Sequence, residues 1–150
     1  AIQSNALVGR SVLREAGLGV RELFAEIDAT VAKAGDVAEL AGIAGALGEA
    51  LAVARAALDW LGEAAKEDPR LPFAASVPFL HVMGLLTGGW MLTRGAIAAA
   101  DGAGPDAEFR KARIAIAGIF AAQYLPQAAA RWAAIRDSSR AVLAFHDERL

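Results

Sequence analysis

Apolar residues recur along this chain by threes and fours almost from end to end, the signature of helices with one buried face. Leu7, Val8 and Val12 open an apolar face, Gly17 and Gly19 interrupt it, and Val20, Leu23, Phe24, Ile27 and Val31 resume it. The spacing predicts helix over residues 1–34 in two pieces. Gly35 and Asp36 then form a stop and a new start, with Asp36 placed to cap the next helix and Glu39 three residues on to complete a capping box. A second helix is expected over 37–66. Leu40, Ile43, Leu47, Ala50, Ala54, Ala57 and Leu61 make its bundle-type seam, and Arg55 and Asp59 stand one turn apart on its wet side, where they can pair. Gly42, Gly45 and Gly48 are expected on its packed face as small residues.

The run from Ser76 to Ala100 departs from this pattern because it is apolar on every side. Phe79, Val82, Met83, Leu86 and Trp90 fall together, while Leu80, Gly84, Gly88, Met91 and Gly95 line another face. A helix of this kind belongs in the centre of a fold, with neighbours around it. Pro78 suits its first turn, and Gly84, Gly88 and Gly95 would let a neighbour approach closely. Three neighbours cannot readily cover such a helix, so an exposed apolar patch on it or on the following helix, or self-association that hides one, is expected.

Glu67, Asp68 and the prolines at 69 and 72 read as a connector, and residues 101–106 as a turn, with Pro105 in a first helical position and Asp106 and Glu108 near the positive end of the helix dipole. The fourth helix starts at Asp106 with Phe109, Ala112, Ile116, Ile119 and Phe120 on one face. Pro126 should kink it, the pattern continues through Trp132 and Ile135, and Asp137, Ser138 and Ser139 allow a short last helix carrying Val142, Leu143 and Phe145. The expected fold is all-α: an antiparallel up-and-down four-helix bundle with a kinked fourth helix.

Composition supports this. The 150 residues are 56% hydrophobic, much of it alanine, with 7% aromatic residues. A net charge of -2 gives no basic footprint for nucleic acid. There is no cysteine, hence no disulfide, thiol nucleophile or thiolate metal site. No secretory leader is visible, so a cytoplasmic setting is expected. A mean hydropathy of +0.38 raises the question of a membrane span, and Leu71–Thr93 holds no full charge. Pro72, Pro78 and His81 interrupt that run, and what remains is too short to span.

Candidate chemistry is sparse. His81 stands among Phe79, Leu80, Val82 and Met83 and is expected to be a core histidine with one hydrogen bond; His146, with Asp147 and Glu148, is too near the terminus to gather metal ligands. Asp59, Glu63 and Glu67 follow one another by helical turns and read as a solvated face, and Trp60, Trp90 and Trp132 as core anchors. No Glu-x-x-His pair, P-loop or Gly-x-Ser-x-Gly occurs, and the glycines at 42, 45 and 48 lack the strand and spacing of a dinucleotide fingerprint. From the residues alone, no catalytic or metal site is assigned.

Two stretches carry a resemblance. Residues 1–10, with Ile2, Gln3, Leu7, Val8, Gly9 and Arg10, resemble the Gly-Ile-Gln-x-x-Asp-Leu-Val-Gly-Arg segment that follows the catalytic Tyr-Glu-Gly-Thr of acyl-CoA dehydrogenases; Ala1 and Ala6 depart from it. Val77-Pro78-Phe79-Leu80, Gly88-Gly89-Trp90, Arg94, Phe109-Arg110-Lys111-Ala112 and Tyr124-Leu125-Pro126-Gln127-Ala128 resemble the extra C-terminal helical domain of a bacterial subset acting on 3-(methylthio)propanoyl-CoA and other acyl-CoAs.

The resemblance implies that residues 1–34 are the tail of the catalytic helical domain and 35–150 the extra C-terminal domain. The parent enzyme would use FAD and an acyl-CoA thioester and be a homo-oligomer, with the remaining domains as this chain's partners. Gln3 would lie beside the flavin-contacting loop, and none of the 150 positions matches the family's catalytic base. A free-standing helical interaction or dimerisation module, without activity, is the alternative.

Overall fold

The structure, a computed structural model, describes residues 2–14 and 17–147, and every regular element within them is helical. In chain order these are α1 (Ile2–Ala6), a π-helical segment (Leu7–Arg14), α2 (Leu18–Gly35), a 3-10 turn (Ala38–Leu40), α3 (Ala41–Glu67), the single turn α4 (Leu71–Ala74), α5 (Ser76–Ala100), α6 (Ala107–Gln123) and α7 (Gln127–Asp147). The two-piece leading helix and the apolar run 76–100 lie where the pattern puts them. Gly17, at φ 70, supplies the left-handed residue that separates the π-helical segment from α2.

Side-chain pairs fix how the helices lie. Arg21 reaches Asp59 at 2.8 Å and Arg55 pairs with Asp28, so α2 and α3 run in opposite directions. Arg55 therefore reaches across to α2 rather than along its own helix to Asp59. Lys33 meets Asp101 at 3.2 Å, which brings the C-terminal ends of α2 and α5 together. Phe120 lies against Gly88 and Arg113 against Gly95, placing α6 antiparallel to α5. Arg140 of α7 holds Glu67 at the end of α3, and Trp132 stands edge-on to Trp60 with centroids 6.4 Å apart. The exposed ion pairs contribute about 0–1 kcal/mol each. The packed apolar faces therefore hold the fold.

α5 lies at the centre. Phe79, Val82 and Leu86 are wholly inaccessible, packed with Phe24 and Ile27 of α2 and Leu47 and Leu61 of α3 in one apolar cluster. Burying each such side chain is worth about 1.5–3 kcal/mol. One edge of α5 nevertheless faces solvent. Along α5 the closest approach is at Gly89, where an added Cβ would lie 2.7 Å from a methyl of Leu125, itself 2% exposed. Gly88 and Gly95 also sit under neighbours, and Gly48 of α3 faces Val31 as expected, whereas Gly84, Gly42 and Gly45 face open space, so the packed face of α3 is built mainly from alanine, leucine and Ile43. Gly89→Val should cost about 3 kcal/mol by overpacking. Gly45→Ala should add about 0.5–1 kcal/mol, since it relieves helix entropy without a clash. Urea unfolding of both variants separates the two cases.

Four local expectations differ from the structure. Asp36 ends α2, and Val37 precedes the 3-10 turn with no side-chain cap, so the capping box does not form. Pro105 lies ahead of α6, and Asp106, in an extended conformation, caps it by accepting the Phe109 N–H at 2.7 Å. Where one kinked helix was expected, the chain makes two: Pro126 has no N–H to continue the ladder, and short-range bonds from Gln127 N–H to Tyr124 O and from Ala128 N–H to Leu125 O turn the backbone. α7 then runs unbroken through 137–139, with Ser138 and Ser139 donating back to Ala134 O and Ile135 O of their own helix, four residues earlier, instead of capping a new one.

Among the described residues one helical stretch, Ala38–Glu67, is long and apolar enough to cross a membrane by length and composition; 44% of its apolar window is buried inside the protein.

Candidate functional site

The leading segment is built into the bundle. Val8 and Val12 are buried, and the edge of the Phe73 ring lies 3.4 Å from where Gly9 would carry a Cβ. At the start of α5, the Ser76 hydroxyl faces two acceptors on α1, Asn5 Oδ1 at 2.9 Å and Ser4 Oγ at 3.3 Å. Ser4 and Ser76 are almost wholly buried, so this polar pin joins residues 72 positions apart inside an apolar surround. Desolvated hydroxyls are costly to leave unsatisfied, which makes the joint directional as well as tight. Gln3, which the resemblance alone would put beside a flavin loop, is exposed on α1 next to this pin.

His81 is exposed on the outer edge of α5, not in the core, because the buried side of that helix is taken by Phe79, Val82, Met83 and Leu86. Asp59, Glu63 and Glu67 form the expected solvated face: each has a basic partner, Arg21, Lys66 and Arg140 respectively. The hydrogen bond from Arg140 holds the Glu67 carboxyl below its ordinary range, and the one from Arg70 does the same for Asp68. Among the described residues no group of three or more His, Asp or Glu side chains could hold a metal. The side chains of His146, Asp147 and Glu148 lie outside the described residues.

An open cleft of about 360 Å³ between the C-terminal halves of α2 and α5 is lined by Thr30, Lys33, Arg94 and Asp101. Its polar groups serve the fold. Trp90 donates its indole N–H to Thr30 Oγ1 at 2.8 Å, Arg94 stacks over the Trp90 ring, and Lys33 is neutralised by Asp101. These groups do not fit a flavin: the pyrophosphate would meet one cation already paired and another already stacked, and the glycines of α3 and α5 sit in regular helix with no cradle of convergent N–H groups.

Large apolar side chains stand exposed on the central helix and on the one that follows it, the two helices on which exposure was expected. Met91 of α5, Phe109, Ile116 and Ile119 of α6 and Tyr124 just beyond it are each 45–56% exposed. Ile2, Phe73 and Val77, at 87%, 41% and 43%, form a second group around the leading segment. The helical period makes the first group legible. The Ser4–Asn5–Ser76 pin left no trace in the sequence, since small polar residues so far apart show nothing of their meeting.

Fold and surface together define an all-helical packing module. The family model described as acetyl-CoA dehydrogenase C-terminal like matches residues 23–146, and the chain belongs to that family. Over 148 residues it is 42% identical to a 3-methylmercaptopropionyl-CoA dehydrogenase of Ruegeria pomeroyi, covering 95% of this chain and 25% of that protein. The chain thus spans about a quarter of the length of this curated relative.

Proposed function

We propose that this chain is the C-terminal, structural part of an FAD-dependent acyl-CoA dehydrogenase, an enzyme that introduces an α,β double bond into an acyl-CoA thioester. The observation that carries this is the asymmetry of coverage: an alignment over nearly all of this chain reaches only a quarter of a relative named as a CoA-thioester dehydrogenase. Residues 1–34 would be the end of the catalytic helical domain and 35–150 the appended domain. In this view the appended part is an antiparallel four-helix bundle, with α6 and α7 together forming its broken fourth arm. The parent would be cytoplasmic and homo-oligomeric, with 3-(methylthio)propanoyl-CoA or a related thioester as substrate.

The mass of the native protein tests this. About 60 kDa or more is expected, since further domains of ordinary size must be added. A native species near 15.5 kDa would instead favour a free-standing helical dimerisation module, for which the exposed α5–α6 face is the supporting observation.

The 150-residue chain should not hold FAD, because flavin contacts would come from parts beyond it. Titrating it with FAD while following flavin fluorescence checks this; saturable one-to-one binding would overturn the assignment of the cofactor to other domains.

A further inference from the structure

On the reading that further dehydrogenase domains precede Ile2 in the parent, we propose that the surface around the Ser4–Asn5–Ser76 pin, with Ile2, Phe73 and Val77, is the seat on which the rest of the catalytic helical domain, the part that precedes Ile2, packs. The bundle would then be held against that domain as a fixed body.

Three observations lead there. First, residues 2–14 precede the family match at 23–146 and yet belong to this fold, with Val8 and Val12 buried and Ser4 wholly inaccessible. A tether between mobile domains is polar and solvated; this segment is helical and anchored through both apolar packing and buried hydroxyls. Second, large apolar side chains stand exposed immediately around the anchor. Ile2 lies two residues before Ser4, Val77 follows Ser76, and Phe73 packs over Gly9 while keeping 41% of its surface exposed. Apolar groups gathered at a rigid joint mark a surface that another body covers. Third, chain continuity decides which body. Each residue spans at most about 3.3–3.6 Å, so whatever precedes Ile2 must emerge beside Phe73 and Val77 and is present there at high effective concentration. The outer α5–α6 face has no such connection, and no occupant is assigned to it.

The test uses the full-length parent with Val77→Cys or, as an exposed reference on the far side of α2, Glu26→Cys. Maleimide labelling is followed peptide by peptide. Both positions are exposed in this structure, so comparable rates are the baseline. Burial under the preceding part of that domain should make Val77→Cys at least about tenfold slower than Glu26→Cys, at every protein concentration. Equal rates in a parent of the expected mass with dehydrogenase activity would overturn the inference and leave the functional assignment standing. Protection that disappears on dilution to the monomer would overturn it in favour of a second copy as the occupant. A native chain no longer than this one would remove the assignment itself. Hydrogen exchange over residues 71–80 in the unmodified parent gives a second readout: protection matching the core of α5 supports the seat, and rapid exchange through α4 and the first turn of α5 overturns it.

Discussion

Phe79→Ala is expected to lower stability by about 3–5 kcal/mol, which approaches the whole of a small domain's margin of roughly 5–15 kcal/mol. Phe79 is wholly inaccessible on the buried side of α5, one turn from Val82 and Met83 and two from Leu86. Removing the ring forfeits its transfer free energy and leaves a cavity that neighbours can fill only partly, because α5 is held on one side by Gly89 against Leu125 and on another by Trp90 bonded to Thr30. Phe109→Ala is the matched control. Its ring is 45% exposed, it stands near Gly104 and beneath Arg113, and its loss should cost under about 1 kcal/mol. Urea unfolding followed by far-UV circular dichroism gives both values. A loss below about 1 kcal/mol at Phe79 would mean that the centre of the bundle is loosely packed.

That contrast shows what the hydrophobic pattern could reveal. Periodicity located α5 to the residue and grouped Phe79, Val82, Met83 and Leu86, all buried, with the partly buried Trp90; it did not single out Thr93, Ala96 or Ile97, which are buried as well. It could not show which side of so uniformly apolar a helix remains exposed. His81 and Met91 face outward because α2, α3, α6 and α7 occupy the rest, a consequence of packing and not of local sequence. Capping was misplaced for a related reason. Asp36 and Glu39 have the spacing of a capping box, but the 3-10 turn at Ala38–Leu40 changes the register, while Asp106 caps α6 where Pro105 had looked like the first helical residue. Pro126 was read as a kink in one helix, and the chain divides there instead: whether a proline bends a helix or divides it depends on whether neighbours reward continuation, and Leu125 turning in against Gly89 rewards the division.

The functional residues divide in the same way. The motif at Ile2–Arg10 was legible because it is continuous, and it pointed to the family that the match over 23–146 establishes. The groups that fix that motif in space, Asn5 and the buried hydroxyls of Ser4 and Ser76, were not legible, because their partnership exists only once α1 lies across the start of α5.

In the parent enzyme, changing the glutamate expected a few residues before Ala1 to glutamine should reduce turnover by about 10²–10⁴-fold, the usual worth of a positioned general base. On the resemblance at Ile2 and Gln3, and on the function proposed above, this glutamate would lie in a Tyr-Glu-Gly-Thr-like turn and would remove the proton α to the thioester carbonyl. Glutamine keeps the shape but cannot accept that proton. Such a base needs a carboxyl poised within hydrogen-bond reach of the carbon acid, and an α proton made acidic by donors directed at the thioester oxygen. The chain described here would contribute by holding the turn. Leu7 and Val8 pack the segment into the bundle, and Ser76 fixes α1 through Asn5 and Ser4, so a disturbance at Ser76 would move the base without touching substrate. Ser76→Val in the parent should accordingly lower kcat with little change in KM, because misplacement of a base by about 1 Å can cost 10²-fold. Steady-state rates with an acyl-CoA substrate check both variants. Full activity in the glutamine variant, or a parent sequence with no glutamate in that turn, would end the assignment.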